Sequence, residues 1–209
     1  MALKTVFFDL GNVLVFFSFP KMLDQIGNLS GMTSQRVKEL LFDTNLRERY
    51  EKGQIGTNEV FKVFQSHAKG PCSLDEFKEA FCNIFTPNLE LWSVVEELKA
   101  KGLRLILLSN TSEGHFEYCE KHFSILKLFN HKILSYKVGA WKPDEKIFKK
   151  ALEVAQCLPE ECLYIDDVPE FIESAAKLGL PGIVYQDTVN LKTVFNKRLY
   201  SVLPFAKIL

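Results

Sequence analysis

The stretch Thr5-Val6-Phe7-Phe8-Asp9-Leu10-Gly11-Asn12-Val13 decides the fold. An apolar run that stops on a carboxylate and a glycine reads as a buried strand with Asp9 at its carboxyl end. Similar runs recur at 103–108, 131–134, 162–165 and 182–185, each mainly aliphatic or aromatic. Strands that carry apolar residues on both faces belong to parallel sheets covered by helices on both sides. The intervening segments supply those helices. Over 89–101, Leu91, Val94, Val95 and Leu98 recur at helical spacing and Gly102 follows as a stop. The segments 144–155 and 169–178 behave alike, the second ending at Gly179. This alternation predicts an α/β fold, a Rossmann-like doubly wound parallel sheet with right-handed crossovers.

One interval breaks the alternation. Positions 19–87 show helical segments near 33–42, 57–68 and 73–85, with Ser73 and Glu76 spaced as a capping box, and no convincing strand. That is too long for one crossover, so it predicts a small helical cap inserted into a core built by 1–18 and 88–209. The 209 residues suffice for such a core with an insert. Lys and Arg together number 26, as do Asp and Glu, giving zero formal charge and arguing against a broad basic face for nucleic acid. The apolar stretch 6–19 is interrupted by Asp9 and falls short of the roughly 18 unbroken apolar residues of a membrane span. Five scattered cysteines without a close pair predict reduced thiols and a soluble, cytoplasmic chain. Phenylalanine is the compositional outlier, eighteen against six tyrosines and two tryptophans.

Ligands of open α/β sheets bind beyond the carboxyl ends of the strands, and the polar residues there are the candidates for chemistry. Asp9 admits a turn-capping role, a nucleophilic role or metal ligation. Ser109 and Asn110, after Leu107-Leu108, are either helix caps or a hydroxyl and an amide for phosphate oxygens. Asp166 and Asp167 follow an apolar strand; adjacent carboxylates repel unless a cation neutralises them, and hard oxygen ligands suit Mg²⁺. Lys142, in Trp141-Lys142-Pro143-Asp144, is either a surface lysine or the cation beside these carboxylates. His67, His115, His122 and His131 have no ligand spacing and are expected in surface or capping roles, although His115 falls near the site mouth. Phe16, Phe17 and Phe19 are expected to pack between core and cap, or to wall the substrate pocket.

Taken in order, the strand-end Asp, strand-end Ser, Lys-Pro helix start and strand-end Asp pair resemble the haloacid dehalogenase-like hydrolase superfamily. The segments Phe-Asp-Leu-Gly-Asn-Val, Tyr50-Glu51-Lys52-Gly53-Gln54-Ile55, Leu-Ser-Asn-Thr and Lys-Pro-Asp look most like a bacterial subgroup that includes α-D-glucose-1-phosphate phosphatase. The resemblance implies that Asp9 is the nucleophile and that Ser109 and Lys142 act with it. It also implies Mg²⁺ held by Asp9, the Gly11 carbonyl, Asp166 and Asp167, and substrate contacts from Ser109, Asn110, Lys142 and Gly11. The expected partner is a small phosphorylated metabolite, possibly a sugar phosphate, acted on by a monomer or homodimer, with no nucleic acid or membrane involved.

Two positions depart from the family pattern. Gly11 stands where many members carry a general acid/base Asp, whose loss costs about 10²–10⁴-fold in rate. Phe171 stands where many place an Asp or Asn beside the metal or lysine. They keep two alternatives in view: a 2-haloacid dehalogenase, which needs no metal, and a catalytically weak chain that binds a phosphorylated ligand or partner.

Overall fold

The structure, a computed structural model, describes residues 2–200, with side chains through Phe195; position 1 and positions 201–209 lie outside it. The expected strands form as β1 (Thr5–Phe8), β4 (Arg104–Ser109), β5 (His131–Leu134), β6 (Cys162–Asp166) and β7 (Gly182–Val184). They make one parallel sheet in the order β5-β4-β1-β6-β7. Strand alternation then sorts the core. Val6, Phe8, Leu105, Leu107, Leu163 and Ile165 pack against α6 (Leu89–Ala100), α7 (Glu113–His122) and α11 (Thr188–Tyr200). Phe7, Ile106, Leu108 and Tyr164 turn to the other face, against α9 (Glu145–Ala155) and α10 (Pro169–Ala176). Side chains two apart along a strand share a face, so each strand feeds both layers. A short helix, α8 (Ser135–Val138), follows β5.

The long interval after β1 is helical but not strand-free. It begins and ends in a two-stranded antiparallel ribbon, β2 (Val15–Phe17) with β3 (Phe85–Pro87), Phe17 opposite Phe85. Strands of three residues carry too little alternation to be read from sequence. From this ribbon spring α1 (Phe19–Ser30), α2 (Ser34–Lys38), α3 (Leu46–Glu51), α4 (Thr57–Gln65) and α5 (Leu74–Cys82). The helix expected at 33–42 is α2 continued by a wider turn over Glu39–Asp43. Ser73 and Glu76 form the expected capping box, each accepting from the other's backbone N–H.

These helices bury their own apolar cluster, including Met22, Ile26, Val60, Phe64, Phe77 and Phe81. Phenylalanines form a row here: Phe61 and Phe64 flank Phe77, and Phe77 meets Phe81 with ring centroids 5.4 Å apart. The row ends on His115 of α7, stacked on Phe81 at 4.7 Å and edge-on to Phe85. His115 is therefore buried and not on the surface, and its ring nitrogen meets the Phe81 carbonyl in the last turn of α5, a capping contact. Among the described residues no helix is long and apolar enough to cross a membrane.

Burial pushes the His115 imidazole down to about 4, and its hydrogen bond with the Phe81 carbonyl only partly opposes this. A base with a depressed folded-state pKa contributes stability above its unfolded pKa and loses it as pH falls toward the folded value. Stability should therefore fall by up to about 3 kcal/mol between pH 6.5 and 4 through this residue alone. His115→Phe should flatten that slope in urea titrations across this pH range.

Candidate active site

Three neighbouring strands place their ends side by side, and the polar residues cluster there. Asp9 follows β1, its backbone N–H donating to the Ile165 carbonyl of β6 at 2.9 Å. Asp166 closes β6 and Ser109 closes β4. Lys142 arrives from the loop between α8 and α9, and only 2% of its surface is exposed. Its ammonium donates to Asp9 Oδ1 at 2.7 Å, Asp166 Oδ2 at 2.6 Å and the Leu108 carbonyl at 3.1 Å. Lys142 is thus the buried cation between two strands, not a surface lysine.

Asn110 holds that lysine in place. Its amide donates to the Lys142 carbonyl at 2.9 Å, and its Oδ1 accepts from the Lys142 N–H at 2.7 Å. Each polar atom of the side chain makes one hydrogen bond to the Lys142 backbone, so the amide clamps that segment while Asn110 also lines the pocket. The following Lys142–Pro143 peptide is cis. Phe171 puts its ring 5.0 Å from the Lys142 ammonium, with Tyr164 at 5.8 Å. These aromatic faces attract the cation through their quadrupoles.

The two adjacent carboxylates differ in use. Asp166 Oδ1 accepts from the Val168 N–H at 2.9 Å, and Oδ2 is shared by Lys142 and the Tyr164 hydroxyl. Asp167 is half-buried and accepts from the Asn12 amide at 3.1 Å. Asn12 and Tyr164 are site residues that sequence reasoning missed. Asn12 offered a signal, as a polar residue of the loop directly after Asp9, where it adopts a positive φ of 55° in the structure. Tyr164 offered none, because it reads as one more apolar strand residue.

Carboxylate oxygens of Asp9, Asp166 and Asp167 lie within 4.8 Å of one another. Burial pushes the Asp9 carboxyl up to about 7, with Lys142 pulling it down and Asp166 and Asp167 adding repulsion. Burial also raises Asp167. Burial works against the Lys142 charge as well, yet Asp9 and Asp166 hold its pKa above the ordinary value. With all three carboxylates ionised, one ammonium leaves two negative charges, which a divalent cation with a taste for oxygen ligands would cancel. The donor set fits such an ion.

Gly11 lines the pocket next to this cluster, and the structure supplies a reason for glycine there. A Cβ at this position would stand 2.8 Å from Cε1 of Phe17. The space that a side chain would use is filled by that ring, itself edge-on to Phe19 at 5.0 Å. Phe17 and Phe19 wall the pocket, whereas Phe16 is 45% exposed and takes no part. The pocket encloses about 60 Å³ between Gly11, Ser109 and Asn110 on one side and Arg47 and Glu51 of α3 on the other. The helical layer is held down at the same place: Tyr50 Oη accepts from the Gly114 N–H at 2.8 Å, and Glu113 accepts from the Thr57 N–H and hydroxyl. Gly53, with φ of 67°, passes so close to Tyr136 that a Cβ would lie 2.0 Å from its carbonyl oxygen.

Removing the shared cation should leave Asp9 and Asp166 facing each other uncompensated. Lys142→Met should cost about 3–5 kcal/mol in chemical denaturation at neutral pH. A divalent cation should recover part of that loss, and equal stability with and without Lys142 would contradict the account.

Comparison with known proteins identifies the family. The chain is 25% identical over 184 residues to the D-ribitol-5-phosphate phosphatase of Bacteroides thetaiotaomicron, covering 85% of this chain and 89% of that protein. It is 23% identical over 191 residues to the sesquiterpene phosphatase astK of Aspergillus oryzae, covering 89% and 91%. Among solved structures, a haloacid dehalogenase family enzyme from Bacteroides thetaiotaomicron, crystallised with magnesium and inorganic phosphate, superposes with a TM-score of 0.80 at 23% identity, covering 91% of this chain and 99% of that one. The haloacid dehalogenase-like hydrolase family matches residues 3–179. A match over so much of the length, on a sheet of this order, places the chain in the haloacid dehalogenase-like hydrolase family.

Proposed function

We propose that the chain is a Mg²⁺-dependent phosphomonoesterase acting on a small phosphorylated metabolite, with residues 19–87 as a cap over the core. The observation that carries this reading is the charge of the Asp9–Asp166–Asp167 cluster, only partly neutralised by Lys142. A dianionic phosphate approaching such a cluster is repelled by several kcal/mol at intermediate dielectric, about 4 kcal/mol per pair of charges at 4 Å. Mg²⁺, held by Asp9, the Gly11 carbonyl and Asp167 with Asp166 beside them, would supply the positive charge that lets the phosphate in.

The chain's own groups do the rest. An Asp9 carboxylate oxygen attacks phosphorus, the bond from phosphorus to the ester oxygen breaks, and the alcohol leaves with a proton from solvent. Water then attacks phosphorus, the Asp9–phosphorus bond breaks, and inorganic phosphate is released with Asp9 restored. Lys142 and the Ser109 hydroxyl stabilise the charge on the transferred group, and Asn110 keeps Lys142 aimed at it. Gly11 offers no side chain to protonate the leaving oxygen, so substrates with a good leaving group should react fastest.

The alternative dehalogenase chemistry uses an Asp nucleophile on carbon and has no need for the Asp166–Asp167 pair. Release of phosphate from p-nitrophenyl phosphate and of chloride from 2-chloropropionate separates the two. The expected result is Mg²⁺-dependent phosphate release, abolished by EDTA and by Asp9→Asn. Full activity in EDTA, or chloride release alone, would overturn the proposal.

A further inference from the structure

The mechanism leaves two buried polar groups unused, and both border the same space. Glu51, at the end of α3, is 6% exposed. Its Oε1 accepts from Arg47 Nε at 2.7 Å, while Oε2 has no hydrogen-bond partner among the described residues. Ser112 is 1% exposed, and its hydroxyl is likewise unmatched, close to the Tyr50 hydroxyl but without a hydrogen bond of good geometry. Serine at a helix N-cap ordinarily accepts from the first turn, yet the Ser112 side chain does not cap α7.

Both residues line a recess of about 10 Å³, room for one oxygen-sized group, whose walls include Phe19, Met22 and Phe81. Phe19, Arg47, Glu51 and His115 line both this recess and the pocket that touches Gly11 and Ser109, so the two are neighbours. The recess therefore lies on the side of the pocket away from the strand ends, where the alcohol part of a phosphate ester would extend. An unpaired carboxylate oxygen in apolar surroundings is costly, and a ligand that pairs it recovers that cost.

The electrostatics narrow the ligand. Arg47 already neutralises Glu51, and its guanidinium lies over the rings of Phe19 and Phe42 at 5.1 and 5.4 Å. A cationic amine gains little from a neutralised carboxylate beside a second cation. A neutral hydroxyl fits: its O–H donates to Glu51 Oε2, and its oxygen accepts from the Ser112 hydroxyl.

Resting on the phosphatase reading, we propose that Glu51, with Ser112, reads a hydroxyl on the leaving alcohol. The substrate is then the phosphate ester of a polyhydroxylated alcohol, a sugar or alditol phosphate. The Phe17, Phe19 and Phe85 walls pack its carbon chain, and the unpaired oxygen of Glu51 selects against esters that have only hydrocarbon to offer it.

The test compares kcat/KM of the full chain with Mg²⁺ on a polyol set (glycerol 3-phosphate, D-ribitol 5-phosphate, glucose 1- and 6-phosphate) against n-pentyl phosphate and farnesyl phosphate. At least one polyol ester should exceed n-pentyl phosphate by about tenfold or more. Glu51→Gln should lower that polyol-to-pentyl ratio by about 10–100-fold, mainly through KM, and Ser112→Ala should lower it by a smaller factor. Because the readout is a ratio within one variant, partial unfolding cancels, and melting curves verify the fold. A ratio unchanged in both variants, or a wild type that prefers n-pentyl or farnesyl phosphate, would overturn the hydroxyl subsite while leaving the phosphatase intact. Absence of hydrolysis of every ester, p-nitrophenyl phosphate included, would remove the phosphatase reading and the subsite with it.

Discussion

The buried ammonium of Lys142 is the interaction on which the site depends. Two strand ends, β1 and β6, each deliver a carboxylate into a region almost closed to water, and such groups cannot both stay ionised there without a counter-charge. Lys142 supplies it at 2.7 and 2.6 Å, and a third hydrogen bond to the Leu108 carbonyl ties the same ammonium to β4. Three adjacent strands are thereby joined at one atom. The clamp from Asn110 and the rings of Phe171 and Tyr164 fix where that atom sits.

The same arrangement remains deliberately short of charge balance. A single ammonium stabilises the fold of the site, yet leaves Asp9 with a carboxyl raised to about 7 by burial and by its acidic neighbours. In the proposed phosphatase a nucleophile in that state needs further positive charge, which would link stability to function in one cluster. On the other wall of the pocket the pattern repeats in a weaker form. Arg47 satisfies one oxygen of Glu51 and leaves the other unpaired. Both walls therefore hold acceptors that the folded chain only partly satisfies.

Phe17 connects the two walls. It belongs to the small ribbon from which the helical layer departs, and its ring occupies the space beside Gly11. The glycine and the phenylalanine are one decision: a side chain at position 11 requires the ring to move, and the ring is held among Phe19 and Phe85. A side chain at position 11 and the present seat of the Phe17 ring therefore exclude each other.

The sequence by itself determined the sheet, its buried strands and the strand-end placement of Asp9, Ser109 and Asp166, because apolar runs and the polar residues that stop them are local signals. It also marked 19–87 as a mainly helical interval by its lack of long strands. It did not reveal the ribbon at 15–17 and 85–87, since three-residue strands gain their order only from each other. Nor did it distinguish Asn110 as a clamp from Asn110 as a ligand, or find Asn12, Tyr164 and the burial of His115. Each of those depends on a partner between 2 and 155 positions away, such as Asp166 for Tyr164 or Asp167 for Asn12. Only the tertiary structure decides such pairings, because hydrogen bonding and burial depend on which groups meet in space, and residue type alone fixes only what each group is able to do.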